Sequence, residues 1–260
     1  MKTLYLIGMG PGDPKYLTLQ AIETMRKTDV FFMLDKAGRG KEDLLALRHQ
    51  ILEAHCEPGS YRVVIAESPQ RTIENGDYKE GVRRWHQRKR EIFAELIERE
   101  LADGQSGAFL LWGDPALYDQ TITNITELVA EQPEQLRFEV IPGITSVQVL
   151  TARHKIPLNR VGEAITITTG RHAEHCDPAT LDNAVVMLDY NASYQRFTGQ
   201  DMDLYWGGLV GTADERLVAG ALDEVVDEAL RARAELKAEK GWQMDIYLLR
   251  RRRDEQQDED

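Results

Sequence analysis

The chain reads as α/β: two α/β domains in succession, an N-terminal, mainly parallel, doubly wound sheet and then a smaller mixed sheet. Three observations lead there. Short apolar runs alternate with helical patterns through residue 157. Three of those runs end in glycine- and proline-rich turns: Gly8–Pro14, Trp112–Tyr118 and Pro142–Ser146. Beyond Pro157 and Gly162, which interrupt both periodicities, strands outnumber helices. The domains are therefore expected over 1–157 and 163–251, with an acidic tail over 252–260 that reads as disordered.

Leu4–Ile7 is a short buried strand, and Thr18 stands where a helix N-cap is expected, opening a helix over 18–27. Strand Val30–Leu34, a helix near 42–54, strand Tyr61–Ala66 and a long helix over 79–102 follow. The basic cluster Arg83, Arg84, His86, Arg88, Lys89 and Arg90 on that helix is expected to face water. The unbroken apolar run Gly107–Trp112 predicts a central strand. Helix 119–131, strand Leu136–Ile141 and helix 144–153 complete the first pattern. In the second, Ala164–Thr169, Ala184–Leu188, Asp203–Val210, Arg216–Ala219 and Trp242–Arg250 read as strands, with one long helix at 221–239.

A net charge of −12 argues against nucleic acid as a general partner. Residues 36–90 nevertheless hold 12 Lys/Arg against 8 Asp/Glu, a basic region suited to an acidic small molecule or to plain helix surface. No run approaches the roughly 20 apolar residues of a membrane span. The chain enters a strand at its start with no signal-peptide pattern, so a cytoplasmic protein is expected. Cys56 and Cys176 have no metal spacing, and His172 and His175 beside Cys176 read as solvated residues, so no metal is expected.

The first turn decides between ligand classes. Gly8, Gly10 and Gly12 allow backbone to approach a ligand, while Pro11 and Pro14 remove two N–H donors. A phosphate cradle works by presenting such donors. The spacing is G-x-G-x-G, and the helix starts about six residues further on, which departs from a dinucleotide fingerprint. Asp35, ending the second strand where a ribose-binding acid would sit, keeps a nicotinamide oxidoreductase as the alternative.

Taken together, Gly8–Pro14 with Leu17-Thr18, Gly113-Asp-Pro with Tyr118, and Pro142–Ser146 resemble three ordered signatures of the tetrapyrrole (corrin/porphyrin) methylase family. Thr168–His172 and Gly211–Gly220 resemble second-domain segments of the same family, so the resemblance covers nearly the whole chain. Asp35-Lys36, the helix carrying Tyr78, Trp85, His86 and Arg90, the run Phe109–Asp119 and the ending Trp242–Arg250 look most like the branch that methylates C1 of precorrin-5 and releases acetate in cobalamin biosynthesis. Other branches methylate other carbons of related rings, and a shell that binds without catalysing also fits.

The resemblance implies a homodimer that takes S-adenosylmethionine, leaves S-adenosylhomocysteine, and holds the cofactor between its domains. By position it implies cofactor contacts at Pro11, Trp112, Gly113, Asp114, Leu117, Thr145 and Ser146, with Tyr190 and Gly211 from the second domain. Asn191–Gln200 departs from commoner members as an apparent insertion. Asp114 is either a counter-charge for the cofactor or simply an Asp-Pro turn former. Loss of acetate calls for a base and an oxyanion donor, for which Asp35 and Tyr118 are the catalytic candidates, with Lys36 and Glu67 on the same edge. Precorrins carry several carboxylates, so Lys36, Arg39, Lys41 and Arg71 are the expected substrate anchors.

Overall fold

The computed structural model describes residues 1–35, 42–69, 78–241 and 244–253. Lys36, Arg39, Lys41, Arg71 and Trp242 lie outside the described residues. The chain divides into two units, Met1–Thr145 and Ser146–Asp260.

The first unit holds β1 (Lys2–Gly8), α1 (Leu19–Arg26), β2 (Val30–Asp35), α2 (Glu42–His55), β3 (Arg62–Glu67), α3 (Tyr78–Glu100), β4 (Ser106–Leu111), α4 (Thr121–Glu131) and β5 (Leu136–Ile141). Its sheet runs β3-β2-β4-β1-β5, and every pairing is parallel. That arrangement explains the unbroken apolar runs: a parallel sheet is covered on both faces. Tyr5 and Ile7 pack on one side with Ala21, Met25, Ile51 and Leu52; Leu4 and Leu6 pack on the other with Phe93, Leu96, Ile97 and Ile125. Helices α1 and α2 therefore cover one face, and α3 and α4 the other. Thr18 caps α1 as expected, its Oγ1 accepting from the Ala21 N–H at 3.1 Å. The basic cluster on α3 is largely water-facing, with Arg88 paired to Glu91 at 2.9 Å and Arg90 to Glu127 at 2.5 Å.

The second unit begins with α5 (Ser146–His154), followed by β6 (Thr166–Thr169), α6 (Gly170–His175), β7 (Asn183–Met187), β8 (Met202–Gly208), β9 (Arg216–Ala221), α7 (Leu222–Lys240) and β10 (Asp245–Arg251). Its order is β6-β7-β10-β8-β9; β6 and β7 are parallel and the other pairs antiparallel, which is the mixed sheet expected. The boundary at 145/146 differs from the one expected at 157–163. Helix α5 packs on β8, β9 and β10, so its apolar face belongs to the second core and the Ile156–Gly162 stretch is a connection inside that unit. A cue in the chain itself could not show which sheet α5 would cover. Helix α6 was also not expected: six residues are too few to show a period, and its start is set by Thr169 accepting from the His172 N–H. Among the described residues no helix is long and apolar enough to cross a membrane.

His154 closes α5 with Nε2 3.0 Å from the Trp206 carbonyl oxygen. Burial lowers its pKa below the ordinary 6.5, outweighing the Trp206 carbonyl and Glu215, which raise it. Around and below 6.5 the unfolded chain therefore binds the proton more readily than the folded one. The stability this ring contributes is complete above the unfolded value and is lost as pH falls toward the folded one. Thermal unfolding followed from about pH 7.5 to about 5.5 should show that loss, and His154→Gln should flatten it. An identical slope in the variant would reject the assignment.

Candidate active site

Strands β1 and β4 lie side by side, yet the helix after β1 covers one face of the sheet and the helix after β4 covers the other. Their carboxyl ends therefore form the switch point at which open α/β sheets bind ligands. Two of the three glycine-proline turns leave the sheet there, and the third leaves it from β5, the neighbour of β1.

The first two turns are joined by main chain. Gly10 and Gly113 form a two-way bridge, the Gly10 N–H donating to the Gly113 oxygen at 3.2 Å and the Gly113 N–H to the Gly10 oxygen at 2.9 Å. Both residues have positive φ, 75° and 65°, which glycine adopts without strain. The third turn is tied in by Asp114, whose Oδ2 accepts from the Gly143 N–H at 2.8 Å. Its Oδ1 accepts from the Ala116 N–H at 2.8 Å, so the carboxylate also closes its own turn. Thr18 Oγ1 reaches the Pro142 carbonyl oxygen at 3.5 Å. The packing leaves no room for side chains: a Cβ on Gly8 would lie 2.6 Å from the Gly143 Cα and 2.8 Å from the Gly113 oxygen.

This rim suits some ligands and not others. The Gly10 N–H is spent on Gly113, Pro11 has none, and α1 begins only at Leu19, beyond a short 3₁₀ turn over Pro14–Tyr16 that Asp13 caps. A pyrophosphate at the first turn would not find the helix terminus that a dinucleotide fingerprint supplies there. The three turns carry no basic side chain, the exposed Lys15 following the first, whereas Asp13 and Asp114 within them and Asp119 just past the second are acidic. The donor set fits a phosphate-free, positively charged group such as a sulfonium.

The residues expected in the site fall as follows. Pro11, Gly113 and Thr145 are buried in the joined turns, and Trp112, Asp114 and Leu117 are half-buried there. Ser146 opens α5. For Asp114 the hydrogen bonding shows the turn-forming role and adds a stitch between turns. Asp35 ends β2, half-buried, in register with Glu67 on β3. Tyr118 is 44% exposed at φ 53°, a left-handed conformation that is uncommon for an aromatic residue and frequent at functional sites. Burial raises its phenol pKa, so the hydroxyl stays protonated at neutral pH.

In the second unit Tyr190 is 81% exposed just past the end of β7, and Gly211 follows β8 with its N–H donating to Glu215 Oε2 at 2.8 Å. Between β7 and Tyr190 stands Asp189, which the sequence did not single out. It is buried, and its carboxylate accepts from the Asn191 N–H (2.9 Å), the Ser193 N–H (2.6 Å), Ser193 Oγ (3.0 Å) and Tyr247 Oη (2.7 Å). The Asn191–Gln200 stretch is held by these contacts and forms a 3₁₀ turn over Ser193–Phe197 that buries Tyr194 and Phe197.

Comparison with known proteins agrees with this geometry. A family model for tetrapyrrole (corrin/porphyrin) methylases matches residues 3–226. The chain is 40% identical over 251 residues to a precorrin-6A synthase [deacetylating] of Sinorhizobium sp, with 96% of each chain covered. Among solved structures, a putative cobalamin synthesis related protein (CobF) from Corynebacterium diphtheriae superposes with TM-score 0.80 at 38% identity, covering 96% of this chain and 98% of that one. A uroporphyrin-III C-methyl transferase from Thermus thermophilus, complexed with S-adenyl homocysteine, shares the fold at TM-score 0.58 and 19% identity, covering 95% of this chain and 92% of that one. The family model spans all three turns, and the chain belongs to the tetrapyrrole (corrin/porphyrin) methylases.

Proposed function

We propose that this protein methylates C1 of precorrin-5 with S-adenosylmethionine and releases acetate. The observation that carries the reading is the likeness to the precorrin-6A synthase [deacetylating], which runs through 96% of each chain. The reading extends to a homodimer working in the cytoplasm, for which the support is the family likeness alone.

When bound, S-adenosylmethionine supplies an electrophilic methyl group on a positively charged sulfur. The chain's task is alignment, since holding two reactants in attack geometry supplies about 7–11 kcal/mol of the barrier. The rim does this with backbone locked by the Gly10–Gly113 bridge and the Asp114–Gly143 bond, so little reorganises during transfer. Pro11, Trp112, Gly113, Leu117, Thr145 and Ser146 are the proposed contacts, with Tyr190 and Gly211 from the second unit. Asp114 and Asp119 add negative field on the same rim.

In the acetate step, water adds to the acetyl carbonyl and its proton passes to Asp35. Tyr118 donates to the oxyanion. The carbon–carbon bond to the ring then breaks, acetate departs with the new oxygen, and the electron pair stays on the ring carbon. That pair forms the bond to the methyl group as the sulfur–carbon bond breaks toward sulfur. No triad is needed, because the ring carbon is itself the nucleophile. Incubation with precorrin-5 and label in the methyl donor, followed by mass spectrometry, should show one methyl gained and the acetyl unit lost. A methyl gained with the acetyl retained would reassign the reaction to another branch; no transferred label would reject it.

A further inference from the structure

Strands β2 and β4 do not stay together. Their ladder runs from Val30↔Gly107 to Phe32↔Phe109 and stops, whereas β2 continues with β3 to Asp35↔Glu67 and β4 continues with β1 to Leu111↔Gly8. The carboxyl edge of the sheet is therefore forked between its second and third strands. The Met9 N–H takes the Leu111 oxygen on the β1 side, so strand alternation turns the Leu110 carbonyl toward the gap.

Arg48 fills that position. From α2 it donates through Nε to the Leu110 oxygen at 3.2 Å and through Nη1 to the Leu44 oxygen at 3.0 Å. A guanidinium carries five N–H donors, so these two neutral carbonyls use fewer than half. Among the described residues no carboxylate forms an ion pair with it; Asp119, at the foot of the second turn, acts only through its field. Burial lowers the Arg48 pKa. A half-buried cation with spare donors beside the switch point suits an anion, and guanidinium geometry matches a carboxylate.

We propose that the fork between β2 and β4 is a carboxylate-binding subsite in which Arg48 receives a side-chain carboxylate of the tetrapyrrole. The inference rests on the methyltransferase reading above and deepens it. It adds an anchor on a helix of the scaffold to those expected at Lys36, Arg39, Lys41 and Arg71. The other carboxylate in the reaction belongs to the methionine part of the methyl donor, and the test separates the two sources.

The KM for precorrin-5 and the Kd for S-adenosylhomocysteine are measured on the wild-type protein, Arg48→Met and Arg48→Gln. Gln retains an N–H for the Leu110 carbonyl but has no charge, so its melting temperature separates support of the strand end from anion binding. Both variants should raise the precorrin KM about tenfold or more, the scale of one charge-assisted hydrogen bond, with the Kd for S-adenosylhomocysteine within about twofold of wild type. An unchanged precorrin KM in a folded Arg48→Gln would overturn the inference while leaving the methyltransferase reading intact. A rise in the Kd for S-adenosylhomocysteine without a rise in KM would overturn it in favour of the methyl donor's carboxylate. A wild-type protein that moves no methyl to precorrin-5 would instead remove the reading on which the inference rests.

Discussion

Gly143→Ala should abolish S-adenosylhomocysteine binding in calorimetry and destabilise the first unit by about 3 kcal/mol or more. The added methyl would meet the Gly113 carbonyl oxygen and come within 2.8 Å of the Gly8 Cα. All these neighbours are backbone, so no rotamer change relieves the contact. Relief requires the third turn to move from the second, which stretches the Gly143 N–H to Asp114 bond and disturbs Gly113. Gly104→Ala is the control: Gly104 has positive φ (85°), unlike Gly143, but a Cβ there meets nothing within 4 Å. It should cost only the left-handed penalty of about 1–2 kcal/mol and leave binding intact. Equal losses in the two variants, or wild-type binding in Gly143→Ala, would refute the account of the joined turns.

The rim was legible because its chemistry is local. Glycine where backbones touch, proline where a donor is not needed and Asp-Pro where a turn closes can each be read without a partner in view. The placing of Thr18 and the mainly parallel character of the first sheet followed from the same kind of signal. Arg48 was not legible: it is one of the 12 basic residues between 36 and 90, and only the fork between β2 and β4 gives it a setting. The place of α5 was hidden for a related reason, since it has a helical pattern that fits either sheet until β8, β9 and β10 are in place. The long α3 shows the converse. Its basic cluster stood out in the sequence, yet Arg88 and Arg90 are largely committed to Glu91, Glu95 and Glu127. Prominence in composition and position at the site are separate properties.

Asp189→Ala should cost the second unit about 4 kcal/mol, one of the largest effects of any single truncation in this chain. The carboxylate accepts from four donors, and Ser193 and Tyr247 are buried. Removing it leaves the Ser193 N–H and the Tyr247 hydroxyl without that acceptor, at about 1–3 kcal/mol for each one buried and unmet, while Ser193 Oγ keeps the Gly170 carbonyl at 3.2 Å. Gly170 packs against the same residue so closely that a Cβ would fall 2.6 Å from the Asp189 Cγ, which explains a glycine at the start of α6. The flanking backbone is also strained, with Leu188 at φ 53° and Ala192 at φ 54°. Asp189 over-determines that loop and holds Tyr190 outward beside it. Asp189→Asn keeps one acceptor oxygen but turns an NH₂ toward a donor, so a smaller loss of about 2 kcal/mol is expected. Chemical denaturation gives the free energies, and hydrogen exchange at the Ser193 amide locates the damage. Loss of protection confined to the 188–197 loop and its neighbours is the expected pattern. A stability change below about 1 kcal/mol in Asp189→Ala would mean that water replaces the carboxylate at no great cost, and the loop would then need another explanation for its shape.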